Sequence, residues 1–322
     1  MTPYPPAALN KRPPAWLGAL VVCILLGACG GDPDYKAVDF GPRTDVAQPT
    51  PNPDGPPRLK VAIAAMVSPQ ETLTHYRELV DYLCTHLGYD AELVQRKTYG
   101  EVNELLAEGL IDLAFICTGP FVAAGQSAGF EAVATPVVRG QPFYRAYLIV
   151  HRDSSAASLS DLQGKDFAFT DPESNTGALV PRYWLSLMGA SADSFFRSLT
   201  YTYSHDNAIM AVAKGLVDGA AVDGHLWEYY QRHNADYTSQ TRVIRTSDPY
   251  GAPPIVVAQS MDPQLKSALV DLILTMHQDA QGRRILSQLM VDRFVVPENA
   301  WYAPVREMVT RVGGVGKSDD GS

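Results

Sequence analysis

The chain has little positive charge, few cysteines, no internal repeat and no apolar run long enough to span a membrane. Each shortage removes a class of function. Lysine and arginine number 26 against 35 aspartates and glutamates, a net charge of −9. An acidic surface lacks the basic footprint that nucleic acid demands. A small anion is not excluded, because backbone donors at helix starts hold anions without any cation. Cysteine occurs four times, at Cys23, Cys29, Cys84 and Cys117. Outside the cytoplasm Cys84 and Cys117 could pair or stay as two buried thiols, and the sequence leaves both open. The apolar run from Ala15 to Leu26 is too short for a permanent spanning helix, which takes about 20 residues.

What is present begins at the N-terminus. Lys11 and Arg12 precede that apolar run, the arrangement of an export leader. Leu26-Gly27-Ala28-Cys29 follows and resembles the bacterial lipobox, a branched residue and two small ones before the cysteine. A leader over 1–28 would leave Cys29 as the lipidated first residue and take the net charge from −9 to −11. Residues 29–57 are rich in proline (Pro33, Pro42, Pro49, Pro51, Pro53, Pro56, Pro57) and read as an extended tether off the membrane.

From Arg58 the pattern alternates between strands and helices, and 322 residues suit two lobes better than one core. Leu59–Met66 reads as a buried strand. Ser68, Pro69 and Glu71 open a helix that carries Tyr76, Leu79, Val80, Leu83 and Leu87 on one face and closes at Gly88. Strands near 91–96 and 111–116 and a helix near 101–108 follow, and the alternation indicates a largely parallel sheet. A second set starts at 146–150, with strands at 167–169, 199–203, 217–222 and 242–245 and helices at about 177–187 and 207–216. Ile255–Ala258 returns to the first set, and one long helix is expected from about 263 to 289. The expected organisation is a first lobe of 58–143 plus 251–313, a second lobe of 144–250, and a flexible tail over 314–322. Crossing segments near 141–147 and 250–255 join the lobes.

Two strand-to-helix turns carry candidate chemistry. In Asp171-Pro172-Glu173-Ser174-Asn175-Thr176-Gly177, hydroxyls and a glycine sit where a helix begins. The first N–H groups there have no intrahelical acceptor, and the helix dipole adds partial positive charge. A tetrahedral oxyanion fits that turn without a lysine; the plainer reading is that Ser174 only caps the helix. In Tyr203-Ser204-His205-Asp206-Asn207, His205 could donate to an anion oxygen, more strongly if charged, with Asp206 capping the helix or orienting the ring. The additional ligands that a metal site needs do not flank this pair.

The ordered segments resemble the phosphonate/phosphite-type substrate-binding proteins of ABC importers. They are Ser68-Pro69-Gln70-Glu71-Thr72, Gly119-Pro120, Gly140-Gln141-Pro142-Phe143-Tyr144, Ser158 to Lys165, Asp171 to Gly177, His205-Asp206-Asn207-Ala208, Val217-Asp218-Gly219-Ala220 and Pro254-Ile255-Val256. The resemblance implies a two-lobed periplasmic-binding-protein clamshell (type II), each lobe a mixed sheet flanked by helices. It implies an exported monomer with no cofactor and no metal and an ABC permease with its ATPase as partner, and the lipobox adds a lipid anchor through Cys29. Its oxyanion contacts fall on Ser174, Asn175, Thr176, Tyr144 and His205, with asparagine at 175 where the family usually has threonine. Relatives that hold an aminophosphonate carry carboxylates at positions matched here by His225 and Pro253, and Asp223 stands nearby as a substitute. An ammonium buried without a carboxylate costs several kcal/mol, so a smaller or uncharged-tail ligand is expected.

A secreted phosphoesterase is the enzyme alternative. It needs a nucleophile with its base, or a metal cluster, assembled from separate segments, and Ser204-His205-Asp206 are merely adjacent. A third reading keeps the binding fold and reports the ligand to a membrane sensor.

Overall fold

The computed structural model describes residues 55–64, 66, 69–125 and 128–315. The leader, the lipobox with Cys29, the tether up to residue 54, Ser68 and residues 316–322 lie outside the described residues. The chain runs through β1 (Arg58–Ile63), α1 (Pro69–Leu87), β2 (Asp90–Val94), α2 (Tyr99–Ala107), β3 (Leu113–Phe115), α3 (Thr118–Ala124) and β4 (Phe130–Val137). It crosses at β5 (Phe143–Tyr144) into β6 (Ala146–His151) and β7 (Asp166–Phe169), then a π turn (Asn175–Leu179) that continues as α4 (Val180–Leu187). α5 (Ala192–Phe195), β8 (Ser198–Tyr201), α6 (His205–Ala213), β9 (Gly219–Asp223), α7 (Gly224–His233) and β10 (Thr241–Thr246) complete that set. β11 (Tyr250–Gly251) crosses back to β12 (Ile255–Ala258), α8 (Pro263–Thr275), α9 (Ala280–Gln288), β13 (Arg293–Val295) and α10 (Ala303–Val315).

Two sheets result. The first has the order β13-β4-β12-β3-β1-β2 and the second β10-β6-β9-β7-β8. Both are mixed rather than largely parallel. β1 is parallel to β2 and β3, but β12 returns from the other lobe and pairs antiparallel with both β3 and β4. β6 likewise runs antiparallel to β9 and β10. The two crossing segments pair with one another as a ribbon, Tyr144 opposite Tyr250 and Phe143 opposite Gly251. The periplasmic-binding-protein clamshell expected from the sequence is the architecture observed.

Helical spacing in α1 turns Leu79, Val80 and Leu83 onto Leu59, Val61 and Leu113 of the first sheet, all essentially buried. The second sheet packs Leu148, Phe167 and Phe169 against Trp184 and Leu185 of α4, and Phe167 stacks on Phe196 at 4.3 Å. Each such fully buried side chain contributes about 1.5–3 kcal/mol.

The long helix expected over 263–289 is broken. Asp279 takes an extended conformation and its carboxylate accepts the Gly282 N–H, which caps a second helix, α9. A Cβ on Gly282 would stand 2.0 Å from the Met276 carbonyl, so only glycine permits this corner. The last helix also departs from the assignment of 251–313 to the first lobe. Val305 and Met308, one turn apart on α10, enter the core of the second sheet beside Trp184 and Leu185, and Arg311 reaches Ser186 of α4 at 3.3 Å. α10 also touches α3, so it lies across both lobes, and it runs to Val315, inside the stretch expected as a flexible tail.

Candidate functional site

Five helix starts face the cleft between the sheets, and each is fixed by its local sequence. At the first, β7 ends in Thr170 and the chain turns through Asp171–Ser174 into the π turn, a wide turn often found at functional sites. Gly177 sits so close to the strand end that a Cβ would lie 1.9 Å from Thr170 Oγ1. Ser174 Oγ accepts the Gly177 N–H at 3.0 Å, so the capping role holds for this oxygen while its O–H remains a donor. Asn175 Nδ2 donates to Tyr144 Oη at 2.9 Å. Ser174, Asn175, Thr176 and Tyr144 are all buried.

The second start is α6. Tyr203 takes a left-handed conformation (φ 59°) ahead of Ser204, which makes no side-chain cap bond. The His205 N–H donates to the Met66 carbonyl across the cleft at 3.0 Å, and His205 Nδ1 accepts the Asp223 N–H at 3.0 Å. That acceptor role leaves Nε2 to carry the hydrogen, and the Asp223 N–H fixes the ring. Burial pushes the ring's pKa down to about 3, so His205 is a neutral donor and not the charged imidazolium allowed for from sequence. Asp223 caps α7, its Oδ1 accepting from the His225 and Leu226 N–H groups at 2.8 and 3.2 Å. Burial raises the carboxyls of both Asp223 and Asp171.

The first lobe supplies the starts of α2 and α3. Thr98 and Glu101 cap α2 reciprocally, which places Tyr99 at its first position. The Tyr99 N–H donates to Asp171 Oδ2 across the cleft at 3.1 Å. The Tyr99 side chain is buried close to Cys117, Asp171, Asp223 and Tyr144. At α3 the N–H groups of Asn175 and Gly119 point at the Cys117 sulfur, whose pKa burial pushes up to about 11. Cys84 and Cys117 are both free buried thiols.

The hydrogen-bond account of this centre is incomplete. Tyr99 Oη, Thr170 Oγ1, Asn175 Oδ1, Thr176 Oγ1 and Ser204 Oγ are buried without a protein partner. Each such orphan costs about 1–3 kcal/mol. No lysine or arginine stands among the buried residues described. Among the described residues no cluster of histidine, cysteine or carboxylate could hold a metal ion, and no helix is long and apolar enough to cross a membrane.

The model of the phosphonate periplasmic substrate-binding proteins of ABC transporters matches residues 61–302. The chain belongs to this family. It is 28% identical over 216 residues to the phosphate-import protein PhnD of Mycolicibacterium smegmatis, a match covering 64% of each chain, thus under two thirds of that relative's length. It is 25% identical to the phosphonates-binding periplasmic protein of Escherichia coli, over 78% of this chain and 75% of that one. In fold it is similar to a binding-protein component of an ABC phosphonate transporter from Pseudomonas aeruginosa (TM-score 0.76, 21% identity, 83% of this chain and 91% of that one). PhnD1 of Prochlorococcus marinus, solved with methylphosphonate, superimposes with a TM-score of 0.71 at 19% identity over 80% and 99% of the two chains.

In this member of the binding-protein family, six of the residues singled out from sequence converge: Ser174, Asn175, Thr176, Tyr144, His205 and Asp223. His225 stands at their edge, its ring 6.5 Å from that of Tyr144. Tyr99, Thr170, Ser204 and the Met66 carbonyl were not singled out. The Thr98…Glu101 capping pattern was the available signal for Tyr99; the other three carry no local one.

Proposed function

We propose that the chain is an exported solute-binding protein, anchored through a lipid on Cys29, that captures a phosphorus oxyanion and hands it to an ABC permease with its ATPase as a monomer. The observation that carries this is the set of orphaned buried polar groups at converging helix starts, with no buried cation beside them. Thr176, Tyr99, Thr170, Ser204 and Ser174 each hold an O–H able to donate, and His205 adds Nε2–H. Tetrahedral oxygens accept such donors from several directions, and the helix dipoles favour the negative charge. Asn175 takes part if its amide turns over, so that Tyr144 donates to Oδ1 and the NH2 faces the anion. The lobes, 58–143 with 251–302 and 144–250, would close on the ligand about the β5–β11 ribbon.

Calorimetry with phosphite, phosphate, sulfate, methylphosphonate and 2-aminoethylphosphonate tests this reading. At least one phosphorus oxyanion should bind, and Thr176→Ala should weaken it by roughly 1–3 kcal/mol, the scale of a hydrogen bond to a charged group. No binding across the panel, or wild-type affinity in Thr176→Ala, would remove the assignment.

A further inference from the structure

Beside the proposed oxyanion seat lies a second space, a cavity of about 130 Å³. Tyr76, Phe115, Leu226, Tyr229, Pro254 and Phe294 form much of its wall. It shares Met66 and Asp223 with the seat, and these are the two residues that hold His205, through the Met66 carbonyl and the Asp223 N–H. The cavity therefore shares a wall with the residues that hold His205.

Its wall is mostly apolar. No lysine or arginine lines it, and its ionisable groups besides the tyrosines are Asp223, Glu228 and His225. Glu228 is engaged by the Tyr147 hydroxyl and by Arg139, each at 2.7 Å. Asp223 already accepts two N–H groups of α7. Pro253 also lines the space and brings no N–H donor and no charge. Much of the wall offers water no partner, and a space of about 150 Å³ takes a ring the size of benzene. Phosphite, phosphate or sulfate would occupy the seat and leave the chamber empty.

We infer that the chamber receives the organic substituent of the ligand, so that the preferred solute is a phosphonate bearing an uncharged alkyl or aryl group of about four to six carbons. This rests on the oxyanion reading above and narrows it: the choice is against the small inorganic anions as well as against an ammonium-bearing tail. Each methylene moved from water into the chamber should raise affinity about fourfold, equivalent to ~0.8 kcal/mol.

The test is a calorimetric series with methyl-, propyl-, butyl- and phenylphosphonate, alongside 2-aminoethylphosphonate, on wild type, Leu226→Trp and Thr176→Ala. Affinity should climb roughly 60-fold from methyl to butyl in the wild type, at about fourfold per methylene. Leu226→Trp fills the chamber and should flatten that climb, whereas Thr176→Ala should weaken every member alike. If methylphosphonate binds and responds to Thr176→Ala but affinity is flat or falls toward butyl, the chamber assignment is wrong and the oxyanion reading stands. Tighter binding of 2-aminoethylphosphonate than of propylphosphonate would equally overturn it, by showing that the chamber takes a cation. If no phosphonate binds while phosphite or phosphate does, the chamber assignment falls and the oxyanion reading stands; if none of them binds, both fall. The wild-type series decides the matter even if Leu226→Trp fails to fold.

Discussion

His205 shows how one buried side chain is set by its neighbours. Its Nδ1 takes the Asp223 N–H and its own N–H reaches Met66, which leaves Nε2–H as a neutral donor. Charging the ring would put a cation in a site with no exposed edge and remove the acceptor that Asp223 needs. The folded pKa of about 3 lies below the ordinary 6.5, so the unfolded chain binds more protons between those values. Stability attributable to His205 is therefore complete above pH 6.5 and is lost as pH falls toward 3, with a slope approaching 1.4 kcal/mol per pH unit. The raised carboxyls of Asp171 and Asp223 act in the opposite sense, because the folded state then holds the extra proton and acid favours it. Comparison with a variant isolates the histidine. His205→Gln keeps a donor near Nε2 but does not titrate, so its thermal midpoint should fall less than that of wild type between pH 7 and 4. Parallel midpoint curves for the two proteins would mean that the ring is charged or accessible in the folded state.

At the scale of elements, the close approach of α3 to the π turn is what brings the two lobes' donors together. A Cβ on Gly119 would stand 2.2 Å from the Glu173 carbonyl and 2.9 Å from the Asn175 nitrogen, and both are backbone atoms that cannot swing aside. Gly119→Ala should therefore hold the lobes apart: affinity for the best phosphorus oxyanion should drop at least tenfold, about 1.4 kcal/mol, with the far-ultraviolet dichroism unchanged. Retained affinity would show that α3 and the turn do not meet in the bound form. The same closeness explains what the sequence could and could not disclose. β1, β6, β7 and β12 are legible because they are short apolar runs, and Ser174, Asn175, Thr176 and His205 because strand-to-helix turns announce themselves locally. α3 has too few residues for a helical period, and α7 is polar on most positions, so neither could be read. α10 is placed by contacts with α3 and α4 that no local pattern encodes. Tyr99 was accessible through the Thr98–Glu101 cap, whereas Thr170 and Met66 act through a strand end and a carbonyl. The apolar chamber was the least legible part, since its walls come from α1, β3, α7, β12 and β13 with their flanking turns.

At the scale of the whole molecule, two predictions concern where the protein sits and how it moves. If Cys29 carries the lipid as proposed, Cys29→Ser should abolish lipid labelling and leave unprocessed precursor; normal processing of that variant would exclude the anchor. The motion follows from the hydrogen bonds that span the cleft. His205 N–H to Met66 and Tyr99 N–H to Asp171 join lobes connected otherwise by the β5–β11 ribbon and by α10. In the closed form Tyr99 Oη, Thr170 Oγ1, Thr176 Oγ1 and Ser204 Oγ have no protein partner. Opening lets water satisfy them and so favours the open state of the empty protein. An oxyanion bound at the proposed seat would satisfy them in place and reverse that preference, because it could use donors from both lobes only when they are closed. The shift is limited by the ligand's differential affinity: moving the population from 1:99 to 99:1 takes about 5.5 kcal/mol, within reach of four such groups at about 1–3 kcal/mol each. Solution scattering should accordingly show a smaller radius of gyration with the preferred ligand, and no change with an anion that does not bind. Tight binding with an unaltered scattering curve would mean that the lobes are already fixed, and that the orphaned groups are tolerated in the empty protein rather than relieved by opening.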